Sequence, residues 1–213
     1  MKKIFIFILS IACLLSFAMA TACVMPEKNE EEQKDPSIVL MNGFNAYDDL
    51  VLYDLTPTSF TGNWKINKDA NYIVEGDGSW RISVTSTGAN QPNFKTKATR
   101  MKTDITDVSE FGLWVYSEAD YEFGIIITAF AGDQIVCSPL QKVVKGENNL
   151  VFPINRVLIA QSGKVISDYS ISFSGIKSGA VVYLDNFYVK QLLNLSFLSW
   201  KLKKLLTLSA HSH

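Results

Sequence analysis

Gly76-Asp77-Gly78-Ser79-Trp80-Arg81-Ile82-Ser83-Val84 contains a turn followed by a strand. The glycines tolerate backbone at φ > 0, and from Ser79 onward polar and apolar residues alternate strictly. Successive side chains on a strand point to opposite faces, so Trp80, Ile82 and Val84 face one way and Arg81, Ser83 and Thr85 the other. One face is for burial and one for water. The same period recurs further on, where Phe111, Leu113 and Val115 form one row and Trp114 and Tyr116 the opposite row.

Outward from these two stretches, short runs rich in Val, Ile, Phe, Tyr and Trp lie between Gly, Asn, Asp, Ser and Pro clusters. The pattern predicts strands over 38–41, 71–75, 79–86, 94–101, 112–117, 123–130, 136–144, 148–153, 169–174 and 181–190. No stretch between Ser37 and Gln191 keeps an amphipathic helical period for three turns. Gly132-Asp133 and Lys145-Gly146-Glu147-Asn148 supply hairpin chemistry. Many short strands without crossover helices predict an all-β fold, a two-sheet antiparallel β-sandwich of the jelly-roll type.

The chain of 213 residues has room for one domain with terminal segments. Twenty Lys and Arg against 21 Asp and Glu leave a formal charge of -1, which offers no basic field to a phosphate backbone and argues against a nucleic acid partner. Met1-Lys2-Lys3 and the apolar run over 4–17 have the charge and hydropathy order of a secretory leader. Ala20-Thr21-Ala22-Cys23 resembles a lipobox, so acylation of Cys23 and a membrane anchor outside the cytoplasm are expected; cleavage after Ala22 with plain secretion is the alternative. Residues 1–22 are then the signal peptide, 23–36 an acylated Cys and acidic tether, 37–191 the sandwich, and 192–213 a tail. Cys13 is lost with the leader, leaving Cys137 as the lone thiol of the folded part. Stability must come from the core rather than from disulfides.

Four landmarks stand in order: Gly43-Phe44-Asn45 with Trp64 downstream, 75–82 around Gly76-Asp77-Gly78-Ser79-Trp80, Phe111-Gly112-Leu113-Trp114-Val115-Tyr116, and the closing Leu184-Asp185-Asn186-Phe187-Tyr188. With them, 37–191 resembles the galactose-binding-like β-sandwich family of carbohydrate-binding modules. The resemblance implies non-catalytic binding of a polysaccharide or glycan, and a structural Ca²⁺ held by Asp185, by the residue after the first-strand Phe, and by the loop before the Gly-Ser strand. That residue is Asn45 where the family usually has an acid, so one charge is missing, and Asp77 compensates only if its loop turns inward. The other reading of Asp185 is a carboxylate capping nearby backbone N–H groups.

Sugars present flat C–H faces and rings of hydroxyls, which call for exposed aromatic planes beside hydrogen-bonding groups. Trp114, Tyr116, Arg81 and Trp64 are the candidate ligand residues, with core packing the alternative for Trp114 and a role in closing one end of the sandwich the alternative for Trp64. The run Asn90-Gln91-Pro92-Asn93 reads as a solvated loop. Catalysis is not expected: both His residues, His211 and His213, lie in the tail, and turns and solvated loops account for Glu75, Asp77, Glu118, Asp120 and Glu122. The second class of function is a structural or adhesive sandwich that contacts a protein partner and has no sugar site. The tail itself, with Leu192, Leu195, Leu198, Leu202 and Leu205 on one helical stripe and Lys201, Lys203 and Lys204 near its end, has a different composition and carries no assigned role.

Overall fold

A computed structural model describes residues 35–54, 60–87, 92–96 and 107–192. The leader, Cys23, the acidic tether up to residue 34 and the tail beyond Leu192 lie outside the described residues. In chain order the strands are β1 (Ile38–Asn42), β2 (Phe60–Asn67), β3 (Ser79–Thr87), β4 (Asn93–Lys95), β5 (Val108–Ser117), β6 (Phe123–Ala131), β7 (Gln134–Cys137), β8 (Leu140–Val143), β9 (Gly146–Pro153), β10 (Ile166–Ser174) and β11 (Val181–Gln191). Two short helices, α1 (Tyr47–Leu50) and α2 (Arg156–Ser162), and a 3₁₀ turn over Ala70–Tyr72 complete the described elements.

The strands form two sheets. The six-stranded sheet runs β2-β3-β11-β5-β9, with β1 also on β11, and the five-stranded sheet runs β4-β10-β6-β7, with β8 also on β6. The described strands pair antiparallel throughout. The apolar rows read from the sequence are buried between the sheets: Trp80, Ile82 and Val84 from β3 and Phe111, Leu113 and Val115 from β5 are each at most 2 % exposed. They meet Ile125, Ile127, Ile171 and Phe173 of the facing sheet. Trp80 sits at the middle of an aromatic cluster, with ring centroids 4.8 Å from Phe94, 5.2 Å from Tyr53 and 5.5 Å from Phe44. Burial of this apolar area is what stabilises a domain without disulfides.

The described part departs from the expected strands in three places. The stretch 71–75 is not a strand, because the N–H groups of Val74 and Glu75 donate to the Asp185 side chain instead of to a ladder. The stretch 136–144 is broken into β7 and β8 at Ser138-Pro139, where proline has no N–H to give a ladder. Strand β2 was hidden by its Gly and Asn content; its signal is the alternation of Trp64 and Ile66, whose partners across β3 are Ile82 and Trp80. Helix α2, two turns long, was not among the expected elements; the Asn155 side chain accepts from Leu158 N at 3.2 Å at its start, and Gly163 adopts φ 60° at the C-cap.

Candidate functional site

On the five-stranded sheet the residues between the buried ones face outward. Phe94, Ile127, Tyr169 and Ile171 are in the core, so Asn93 and Lys95 of β4, Thr128 and Phe130 of β6, and Asp168, Ser170 and Ser172 of β10 project from the opposite face. Register brings them together across three strands. Lys95, Ser170 and Thr128 form one cross-strand row, Asn93, Ser172 and Ile126 the next, and Asp168 lies opposite Phe130. Asn93, Lys95, Thr128, Phe130, Asp168 and Ser170 line an open groove of about 420 Å³.

The groove is polar along β4 and β10, and beyond Phe130 the same face becomes apolar toward the opposite edge of the sheet. Its β4–β10 side carries an amide, an ammonium, hydroxyls and the Asp168 carboxylate. Toward the other edge, Phe130 is paired with Ile135 and Ile126 with Leu140, and Ile135 and Leu140 are each 50 % exposed. Hydrogen-bonding groups therefore stand beside aliphatic and aromatic carbon on one surface. Apart from Asn93, placed at the end of a loop run, none of these residues was a sequence candidate. The available signal was the alternation Tyr169-Ser170-Ile171-Ser172-Phe173, which marks an outward polar row without saying which strands flank it.

The sequence candidates Arg81, Tyr116 and Trp114 come together on the outer face of the other sheet. Lys65, Arg81, Tyr183, Tyr116 and Glu147 form one row across β2-β3-β11-β5-β9, and Trp114 lies in the next row beside Asp185 and Asn149. This face is already occupied by the protein itself. The segment after β2 folds over it, so that Tyr72 stacks on Tyr183 at 4.0 Å with the rings 7° apart and meets Tyr116 edge-on at 4.9 Å. Arg81 Nε donates to Tyr183 Oη at 3.3 Å, and Tyr183 Oη donates to Glu118 at 3.0 Å. Burial pushes the Tyr183 phenol above its ordinary pKa range. Trp114 is 4 % and Tyr183 5 % exposed. Trp64 is not part of this cluster: opposite Ile82 in the register, it faces inward and meets Phe94 edge-on at 6.0 Å.

The three residues considered for Ca²⁺ have other partners. Asp185 is fully buried; its Oδ2 accepts from Val74 N at 2.7 Å and Glu75 N at 3.0 Å, and its Oδ1 from Asn186 N at 2.6 Å. Burial raises its carboxyl pKa, while these three N–H groups pull it down. Asn45 Oδ1 accepts from Asp77 N at 2.7 Å and Gly78 N at 3.0 Å. The Asp77 side chain is turned outward, 81 % exposed, and pairs with Lys68 at 3.2 Å. A hard cation needs several converging oxygens, and these oxygens do not fit that requirement: they converge on N–H groups.

No family model and no curated protein matches the chain. Solved structures do match. The family 11 carbohydrate-binding module of the cellulase Lic26A-Cel5E of Clostridium thermocellum aligns with a TM-score of 0.51 at 10 % identity, over 74 % of this chain and 96 % of that one. A solution structure of CtCBM11 aligns with a TM-score of 0.51 at 12 % identity, over 76 % and 99 %. An arabinose-bound MgGH51 α-L-arabinofuranosidase aligns with a TM-score of 0.50 at 11 % identity, but the chain spans 26 % of that enzyme's length. Two packed antiparallel sheets in this arrangement have the jelly-roll β-sandwich fold of carbohydrate-binding modules.

Proposed function

We propose that the protein binds a polysaccharide or glycan chain, without cleaving it, in the groove on the outer face of the five-stranded sheet. The observation that carries this reading is the divided polarity of that groove. A pyranose chain presents C–H faces and hydroxyl edges, and the groove has Asn93, Lys95 and Asp168 on its β4–β10 side, Thr128 on its floor and Phe130 toward the other edge, where Ile135, opposite Phe130, extends the apolar surface beyond the groove. A family 11 module of the same fold is described in complex with a β-1,3-1,4-mixed-linked tetrasaccharide, which supports the ligand class. Among the described residues lining the groove, Asp168 is the one carboxylate, so hydrolysis by a carboxylate pair has no second member there.

The test is a glycan array and an insoluble-polysaccharide pull-down with the chain from Cys23 onward, repeated with Thr128→Arg, which fills the groove from its floor. We expect binding to at least one glycan, weakened more than about tenfold by the substitution without loss of the fold. Retention of full affinity in T128R would move the site elsewhere. Absence of binding to any glycan would favour a sandwich that contacts a protein partner.

The same proposal places the domain at the cell surface, tethered through acylated Cys23. Metabolic labelling with palmitate and detergent-phase partitioning are expected to be lost in Cys23→Ser. Equal partitioning of both forms into the aqueous phase would indicate plain secretion.

A further inference from the structure

Asn45 lies in the turn after β1 and Asp185 within β11, yet both reach the loop over 74–78. Between them they accept four of its backbone N–H groups, those of Val74 and Glu75 on Asp185 and those of Asp77 and Gly78 on Asn45. We propose that these two side chains clamp the loop directly, by hydrogen bonds, and that the Asn45 amide keeps the clamp free of the divalent cation which an acid at that position would recruit.

Three features carry this. First, the Asn45 amide is closely held with its NH₂ edge away from the loop. A Cβ added at Gly76 would lie 2.3 Å from Asn45 Oδ1, and one at Gly43 would lie 2.6 Å from its Nδ2, so the amide is packed between two glycines that leave no volume for a methyl group. A Ca²⁺ ion needs six to eight oxygens at about 2.3–2.6 Å, and the edge of Asn45 not used by the loop is an NH₂ group, which repels it. Second, the nearby oxygens are already engaged by an ammonium: Lys68 Nζ donates to the Asn45 carbonyl oxygen at 2.8 Å and pairs with Asp77 at 3.2 Å.

Third, the backbone on both sides is held in an unusual conformation. Phe44, immediately before Asn45, has φ 50°, and Asn186, immediately after Asp185, has φ 45°. A bulky residue such as Phe rarely enters the left-handed region. Here it is held by its own network. Phe44 N donates to Asn42 Oδ1 at 2.8 Å, and the N–H groups of Asn45 and Ala46 both donate to Asp49 Oδ2, at 2.7 and 2.9 Å. This turn aims the Asn45 amide at the loop.

The test is thermal unfolding of the chain from Cys23 onward in EGTA and in about 5 mM Ca²⁺, enough to fill a site of the affinity usual for extracellular modules, with calorimetric Ca²⁺ titration alongside. Wild-type protein is expected to shift by less than about 1 °C between the two buffers. Asn45→Asp has the same shape but replaces the NH₂ with an anionic oxygen, and is expected to gain a Ca²⁺-dependent rise of about 4 °C or more. A Ca²⁺-dependent rise or a binding isotherm in the wild type would overturn the proposal. A folded N45D that ignores Ca²⁺ would overturn the role given to Asn45. If N45D folds in neither buffer, the wild-type titration decides alone.

Discussion

Replacing Asp185 with Ala is expected to lower the unfolding free energy by about 3–4 kcal/mol, seen as a fall in Tm of about 10 °C. The carboxylate is fully buried and accepts three backbone N–H groups, from Val74, Glu75 and Asn186. Truncation leaves those donors without their acceptor and releases the loop that carries Tyr72 over the six-stranded sheet. The effect depends on pH with a defined sign. Burial raises the folded-state pKa of Asp185, so the folded form binds its proton more tightly than the unfolded chain does. That contribution is present below the unfolded carboxylate pKa and is lost as pH rises through the raised value. The stability gap between wild type and D185A should therefore widen as pH is lowered through that window. Chemical denaturation at several pH values measures it, and an unchanged midpoint in D185A would show that the loop is held by other contacts.

Trp114→Ala is expected to cost about 3 kcal/mol of stability while leaving glycan affinity within about twofold. Trp114 is 4 % exposed, on the face covered by the Tyr72 segment, and packs 6.3 Å from Tyr116. Its ring has the burial of a core aromatic although it points away from the space between the sheets. The proposed groove is on the other sheet. A Trp114→Ala protein that still folds but no longer retains glycan would transfer the binding site to the six-stranded sheet, to the surface formed by Arg81, Tyr116 and Tyr183. Paired denaturation and binding curves on the same preparation separate these outcomes.

The local pattern determined the sandwich class and most of the core. Alternation is a property of the strand backbone, so Trp80, Ile82 and Val84 in one row and Phe111, Leu113 and Val115 in another are legible wherever those strands are placed. The break at Pro139 and helix α2 were not expected from the strand pattern, although their chemistry is equally local: a missing N–H, an Asn side chain and a glycine at positive φ. The capping alternative for Asp185 was also readable, because a carboxylate drawn into a fold meets either N–H groups or a cation.

What remained hidden depends on which segments are neighbours. Alternation puts Trp114 and Tyr116 opposite the core row, but whether that face is open depends on where the segment after β2 lies, and it brings Tyr72 onto Tyr183. The groove is assembled from Asn93 and Lys95, Thr128 and Phe130, and Asp168 and Ser170, on three strands far apart in the chain. Each contributes one or two ordinary outward residues to a strand that reads as half-wet. Their convergence is a matter of register between distant strands, set by the packing of the two sheets as a whole, and no local period encodes it.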